Sequence, residues 1–320
     1  MASWRCSVEV KANQMSTREK LLIIGGGFIG SHVAKEAVVR NFEVSVVSLN
    51  EKSLNQKIND VKYLVANITE LSELSTAIKG KLFDHVINLG GYIDHLNYSQ
   101  GGDKVFDVHF EGAKNIVKCV NHINLKSFIQ IGSSDEYGNN TAPQNERQRE
   151  LPISPYSLAK VSATHFFQML YRTEKFPVII LRPFLVYGAY QDESRFIPQI
   201  IQGCLDNKVF PVSEGKQLRD FCFINDIVEA IFISLNCRKA FGEIINIASG
   251  IPVDIRSVVE EIQGIVGLGK PKFGSIPYRD GENMELYADI SKAKNILNWA
   301  PKIELNEGLR RTIKSFQEVQ

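Results

Sequence analysis

Five cysteines in 320 residues, Cys6, Cys119, Cys204, Cys222 and Cys237, are too scattered and odd in number for a disulfide framework. No Cys-x-x-Cys pair is present, so reduced thiols in a cytoplasmic protein are expected. The six histidines lack the i, i+4 spacing of a helical zinc site, and no metal is expected. Charge of one sign is missing too: 37 Lys and Arg stand against 36 Asp and Glu, a net charge of +1. That balance gives no electrostatic reason for a nucleic-acid or membrane partner, although it leaves room for a local phosphate pocket. Nowhere do about eighteen apolar residues run together, so a soluble protein is expected. The first twenty residues are polar and mixed, without the apolar core of a signal peptide, and Met15 is a plausible alternative start. No internal repeat or low-complexity stretch is visible.

What is present reads as an ordinary globular chain, 44% hydrophobic and 23% charged. Its length exceeds one small core, so a large α/β unit with an appendage, or two domains, is the default. Short β-branched runs recur at 21–24, 44–47, 63–65, 85–89, 128–131 and 178–181, each bounded by polar or glycine-containing segments. Buried parallel strands look this way. Helix-like stretches lie between them, among them 31–40, 104–121 and 156–173, and this alternation predicts an α/β doubly wound parallel sheet. Beyond about residue 185 the rhythm loosens. Helices are expected over 196–205 and 224–235, while Pro252, Pro271, Pro277 and Pro301 punctuate shorter pieces.

Gly25, Gly27 and Gly30 form G-x-G-x-x-G between the first strand and the first helix. Such a turn is tight, and its bare backbone lets a pyrophosphate reach the helix N-terminus. A glycine-rich packing turn is the plainer alternative, but strand before and helix after favour dinucleotide binding by a Rossmann domain. That domain is expected to span 21–185, with part of 220–250 returning to it. Residues 1–20 would be an N-terminal extension, and 186–320 mainly a smaller C-terminal α/β substrate-binding domain. After the second strand come Ser48, Leu49 and Asn50, and the first acid is Glu51. An acid there normally holds the ribose 2′-hydroxyl of NAD. Its lack removes repulsion against a 2′-phosphate, which Ser48 or Lys52 could bind, so NADP(H) is favoured; NAD(H) stays open if Glu51 folds back.

Tyr156 and Lys160 stand four apart in a helical stretch and therefore share a face. A neighbouring ammonium is expected to lower the phenol's pKa and make Tyr156 an acid/base. Alone, a packed tyrosine and a solvated lysine would be the better reading. Upstream, Ile131-Gly132-Ser133-Ser134-Asp135-Glu136-Tyr137-Gly138 closes a predicted strand, where sites gather in such sheets. A hydroxyl there can hold a substrate oxygen while Tyr156 moves the proton.

Gly-Gly-Gly-Phe-Ile-Gly, Ser-Ser-Asp-Glu-Tyr-Gly, Pro-Tyr-Ser-Leu-Ala-Lys and the run from Leu181-Arg182-Pro183 to Gly188 occur in order. Leu218-Arg219-Asp220-Phe221 with Asn225-Asp226 follows, then Arg279-Asp280-Gly281-Glu282 and a tail through Asp289 to Trp299. With these motifs the chain, from about Leu21 to Phe316, resembles the extended short-chain dehydrogenase/reductases, within them the NAD-dependent epimerase/dehydratase family acting on nucleotide sugars. The tail is similar to that of the CDP-abequose synthase group of 4-keto-6-deoxy-sugar reductases. The resemblance implies that Tyr156 is the acid/base and that Lys160 holds the nicotinamide ribose. It implies Ser134 on the sugar C4 oxygen, with Ser133 the alternative because the segment is one residue short. It further implies a dinucleotide lined by Phe28, Ile29, Ser48, Asn67, Ile68, Leu89, Gly90 and Pro183. Arg219 and Arg279 match positions that grip the substrate diphosphate, where surface salt bridges are the bland alternative. Glu136 and Leu185 would face the sugar. A homodimer through a four-helix bundle of 104–121 and 156–173 is implied as well, against simple packing on the sheet. Departures are Ile24 for a glycine, Asn67 for an aspartate that contacts adenine, and His109 and Leu185 for asparagines.

Three outcomes of C4 chemistry stay open. A reductase passes hydride from NADPH to a 4-keto carbon, an epimerase oxidises and re-reduces with NAD kept, and a dehydratase adds elimination with Glu136 as base at C5. The run Ser134-Asp135-Glu136 suits a dehydratase, yet similar runs occur in 4-keto reductases, and the missing acid after the second strand puts the reductase first. A dehydrogenase stopping at C4 oxidation also stays open. From a different class, a non-catalytic Rossmann protein that senses dinucleotide is allowed by fold, but it has no need of Ser134, Tyr156 and Lys160 together. Supply of a deoxy sugar for a surface polysaccharide is the setting the resemblance implies.

Overall fold

A computed structural model describes residues 18–51, 54–94, 96–278 and 281–318. The β-branched runs form β1 (Lys20–Ile24), β2 (Glu43–Ser48), β3 (Val61–Val65), β4 (His85–Asn88), β5 (Ser127–Ile131) and β6 (Val178–Pro183). The chain then leaves for β7 (Leu185–Tyr187), β8 (Val209–Pro211) and β9 (Leu218–Phe223), and returns as β10 (Ile244–Ile247). Seven of these make one parallel sheet in the order β3-β2-β1-β4-β5-β6-β10. After β3 the chain crosses to the far side of β1 to begin β4. The crevice this opens at the carboxyl ends of β1 and β4 is where such sheets bind ligands.

Alternation along each strand decides which layer a side chain joins. Leu21 and Ile23 of β1 face one core with Val44, Val46 and Ile179, while Leu22 and Ile24 face the other with Val47, Phe128 and Ile180. Helix α1 (Phe28–Val39) covers the first face. The second is covered by α2 (Leu71–Ile78) and by α3 (Asp103–Phe106), which runs through a π-helical turn (Asp107–Glu111) into α4 (Gly112–Cys119). Helix α5 (Pro155–Glu174) joins that second layer, α6 is Phe196–Leu205, and α7 (Ile224–Leu235) lies beside α1. Pro155 at its first position and a reciprocal Ser154–Ser157 cap start α5 sharply. This start fixes which residues of α5 look toward β5.

Beyond the sheet lie α8 (Ile255–Val266), α9 (Leu305–Gln317) and three short strands, β11 (Pro252–Asp254), β12 (Lys270–Lys272) and β13 (Glu285–Leu286). Strand β9 pairs β11 antiparallel and β7 and β13 parallel, making a second sheet. Asp220 ties this sheet together, accepting hydrogen bonds from the Ser249, Gly250 and Ala288 backbone N–H groups at 2.7, 2.9 and 3.2 Å. Among the described residues, Cys119, Cys204, Cys222 and Cys237 are free thiols, and no helix is long and apolar enough to cross a membrane.

Candidate active site

Each glycine of the first turn meets a different constraint. Gly25 has φ +99°, donates to the Val47 carbonyl at 2.8 Å, and would bring a Cβ within 2.9 Å of the Leu89 carbonyl oxygen. A side chain there meets both a left-handed backbone and a crowded neighbour. A Cβ on Gly30 would overlap the Gly25 carbonyl, so Gly30 lets α1 pack on the turn. Gly27 is the informative one: a Cβ there meets no protein atom within 4 Å. Its bareness serves nothing inside the chain. Helix α1 begins at Phe28 and Ile29 with no side-chain cap and no acid in its first turn, so its N–H groups and positive end await an outside anion. These residues fit the pyrophosphate of a dinucleotide.

Other expected cofactor residues line the same edge. Leu89 donates to the Ile24 carbonyl at 2.8 Å, Gly90 packs on Ile68, and Pro183 ends β6. Ser48 ends β2 and its hydroxyl donates to the Asn50 carbonyl at 3.2 Å. Glu51 is exposed and pairs with Lys57 at 3.5 Å, and Lys52 lies outside the described residues. Asn67 Oδ1 accepts from the Thr69 N–H and hydroxyl at 3.1 and 2.9 Å and holds the turn into α2.

Tyr156, Lys160 and Thr164 follow one another on the face of α5 toward β5, and all three are buried. The Ser133 hydroxyl lies by the Tyr156 phenol and favours its charged form. Lys160 Nζ donates to the Ile131 carbonyl at 3.0 Å and stands 5.8 Å from the Tyr156 ring centre. Ser133, the expected alternative to Ser134 for the sugar C4 oxygen, is the serine whose hydroxyl acts on the phenol. One expectation needs correction. The pKa of Tyr156 is raised rather than lowered, first by burial and then by the Asp135 and Glu136 charges, against the Ser133 hydroxyl. Burial pulls Lys160 itself down to about 8.

Glu136 is also not where a substrate residue should be. It is fully buried: one oxygen accepts from the Ser133 N–H at 2.8 Å, the other from Thr164 and Arg182 at 2.8 and 2.6 Å. Arg182 bonds Glu150 as well, at 2.7 Å. Glu136 thus pins the Ser133 loop to α5 from behind. Its place beside the hydroxyl in the motif suggested a sugar contact, but its orientation depends on Arg182, whose partner no local pattern reveals. Nothing in the Leu181-Arg182-Pro183 run itself points to this role for Arg182.

On the lobe side, Arg219 pairs with Glu282 and donates to the Leu218 carbonyl at 2.9 Å. Leu185, half-buried in β7, pairs with Phe221 of β9. Arg279 lies outside the described residues. His109 was noted only as a departure, yet its buried ring stands edge-on to Tyr156 with centres 5.1 Å apart.

Comparisons with known proteins agree on the type of molecule. Residues 21–248 match the model of the NAD dependent epimerase/dehydratase family. A putative UDP-glucose 4-epimerase of Methanocaldococcus jannaschii is 28% identical over 305 residues, covering 92% of this chain and 97% of the relative. A dTDP-glucose 4,6-dehydratase of Haemophilus influenzae is 28% identical over 330 residues, covering 92% and 97%. Among solved structures, a mutant UDP-glucuronic acid 4-epimerase of Bacillus cereus, in complex with UDP-4-deoxy-4-fluoro-glucuronic acid and NAD, superposes with a TM-score of 0.82. It is 26% identical, over 94% of this chain and 100% of that one.

Proposed function

This chain belongs to the NAD-dependent epimerase/dehydratase family, and on that premise we propose that it works at C4 of a nucleotide-activated sugar as a 4-epimerase that keeps NAD(H). The observation that carries the reading is that Ser133 and Lys160 both flank Tyr156 at the carboxyl edge of the sheet, the edge that also carries the glycine turn. Gly25, Gly27, Gly30 and the first turn of α1 hold the pyrophosphate, and Lys160 the nicotinamide ribose. When bound, the nicotinamide supplies a hydride acceptor and, oxidised, a positive charge. For C4 to give up hydride Tyr156 must first be a phenolate, which that positive charge would favour against the burial that raises its pKa; it then takes the proton of the C4 hydroxyl and leaves a keto sugar. Reduction on the other face returns hydride to C4 and the same proton to oxygen, while Ser133 holds that oxygen. Arg219 and Arg279 grip the diphosphate, and residues 186–320 form most of the substrate half.

Dehydration is disfavoured because Glu136, the expected C5 base, is sealed against Ser133, Thr164 and Arg182. A 4-keto reductase using NADPH is the second reading. It is favoured by the absence, among the described residues, of a buried acid after β2, where Glu51 is exposed, and by the burial that raises the pKa of Tyr156. A second copy of the chain would pack on α3, α4 and α5, where Leu158 and Met169 are exposed on α5. The setting proposed is the cytoplasm, in sugar supply for a polysaccharide.

Native mass spectrometry of the purified protein, followed by incubation with UDP-glucose and UDP-glucuronate under NMR, tests the reading. Retained NAD(H) and inversion at C4 are expected. An empty protein that oxidises NADPH only with a 4-keto nucleotide sugar would replace the epimerase by the reductase.

A further inference from the structure

His109 occupies the π-helical turn between α3 and α4. Such turns widen a helix by one residue and often serve function. Here Val105 before the turn and Ala113 and Ile116 after it stay fully buried, while His109 meets α5. The imidazole stands at 78° to the Tyr156 ring, and its Nε2 donates to the Tyr92 carbonyl at 2.8 Å. Gly91 has φ +129°, and a Cβ on it would overlap the imidazole. The loop after β4 is therefore shaped around this ring.

Its chemistry is restricted. Burial and the Lys160 charge pull its pKa down to about 3. With Nε2 carrying the proton, the ring is neutral near pH 7 and exchanges no proton with Tyr156. What remains is packing and exclusion of water. Charged groups acting on the phenol from the other elements are Asp135 and Glu136 behind Ser133, Arg195 at the start of α6, and Lys160 on α5 itself. Burial outweighs them all.

We propose that His109 is a positioning residue that pins the loop after β4 to the Tyr156 ring and keeps water from that phenol, an inference that rests on Tyr156 being the acid/base.

The test titrates the phenol directly, by ultraviolet difference spectra of the full chain with Tyr156→Phe as the blank. In His109→Asn, a smaller side chain, Tyr156 should ionise about one pH unit lower than in the native chain, because hydration favours the charged form. His109→Phe, which keeps the ring volume, should leave the titration unmoved. Far-ultraviolet dichroism confirms folding, and His109→Gln replaces the asparagine variant if that one does not fold. An unmoved phenol in the asparagine variant, or an equal shift in the phenylalanine variant, overturns the inference. Activity distinguishes the two readings: a fully active Tyr156→Phe sinks the role of Tyr156 itself, whereas an inactive one leaves only His109 at stake.

Discussion

Two arginine–carboxylate pairs sit on opposite sides of the candidate site and differ in what surrounds them. Behind β5, Arg182 and Glu136 are both fully buried, and Glu136 also holds Thr164 and the Ser133 N–H. On the lobe, Arg219 and Glu282 keep 10% and 19% of their side chains exposed. A sealed pair has no exchange open to it, since water cannot take the place of either partner. A pair that keeps part of its surface open to water can exchange one carboxylate for another anion more readily than a sealed one. The same two residue types therefore form scaffold behind β5, whereas on the lobe they are where the proposed diphosphate grip can be tested.

The sharpest way to break this contrast is Glu136→Ala. It strips Arg182 of one partner and leaves the Ser133 N–H without its acceptor. A loss of about 3–5 kcal/mol in denaturant unfolding is expected, with only part of it restored in Glu136→Gln, whose single amide oxygen can accept from the Ser133 N–H or from Thr164 and Arg182 but not from both. A collapse in turnover at unchanged stability would instead put Glu136 on the substrate and revive dehydration. Next in size is Tyr156→Phe, with a fall in turnover by a factor of about 100 or more and unfolding little changed. That variant supplies the measure of chemistry against which both ion pairs are judged.

A third effect lies between them in space. Lys160 has a folded pKa of about 8 against 10.5 for a free side chain. Below about pH 8 the fold carries the full cost of a buried ammonium. Between about pH 8 and 10.5 the unfolded chain binds more protons, so stability rises with pH. Lys160→Met should therefore unfold at higher denaturant than the native chain near pH 7, with the gap closing toward pH 10.5. A constant gap across that range would mean that the lysine bears no burial cost.

Much of this arrangement is legible in the residues, and what is not shares a cause. Helices over 196–205 and 224–235 are read from periodicity and fall at those bounds. The parallel strands are read from their β-branched runs, because two buried faces leave little choice of residue. Strands β11 and β13, three and two residues long, carry too little pattern to be seen. The Ser133 and Ser134 choice turns on one residue of register in a 3-10 turn, and Glu136 turns inward where Thr164 and Arg182 hold it, the latter from 46 positions away. Local pattern names the residues of a site; long-range partners decide which way they face.

The smallest expected effect probes the lobe. Arg219→Met should raise KM for the nucleotide sugar about tenfold with kcat little changed, the mark of binding lost equally from ground and transition states. Glu282→Gln is the finer test, because the two pairs predict opposite signs. If Glu282 only holds Arg219 until a diphosphate arrives, removing its charge ends a competition, and KM should fall about two- to threefold while unfolding stays within about 0.5 kcal/mol of native. If the lobe pair is scaffold like its counterpart behind β5, Glu282→Gln should destabilise the fold and raise KM. A partner that can be removed with a gain in binding was placed for exchange, and the direction of that single shift distinguishes grip from scaffold.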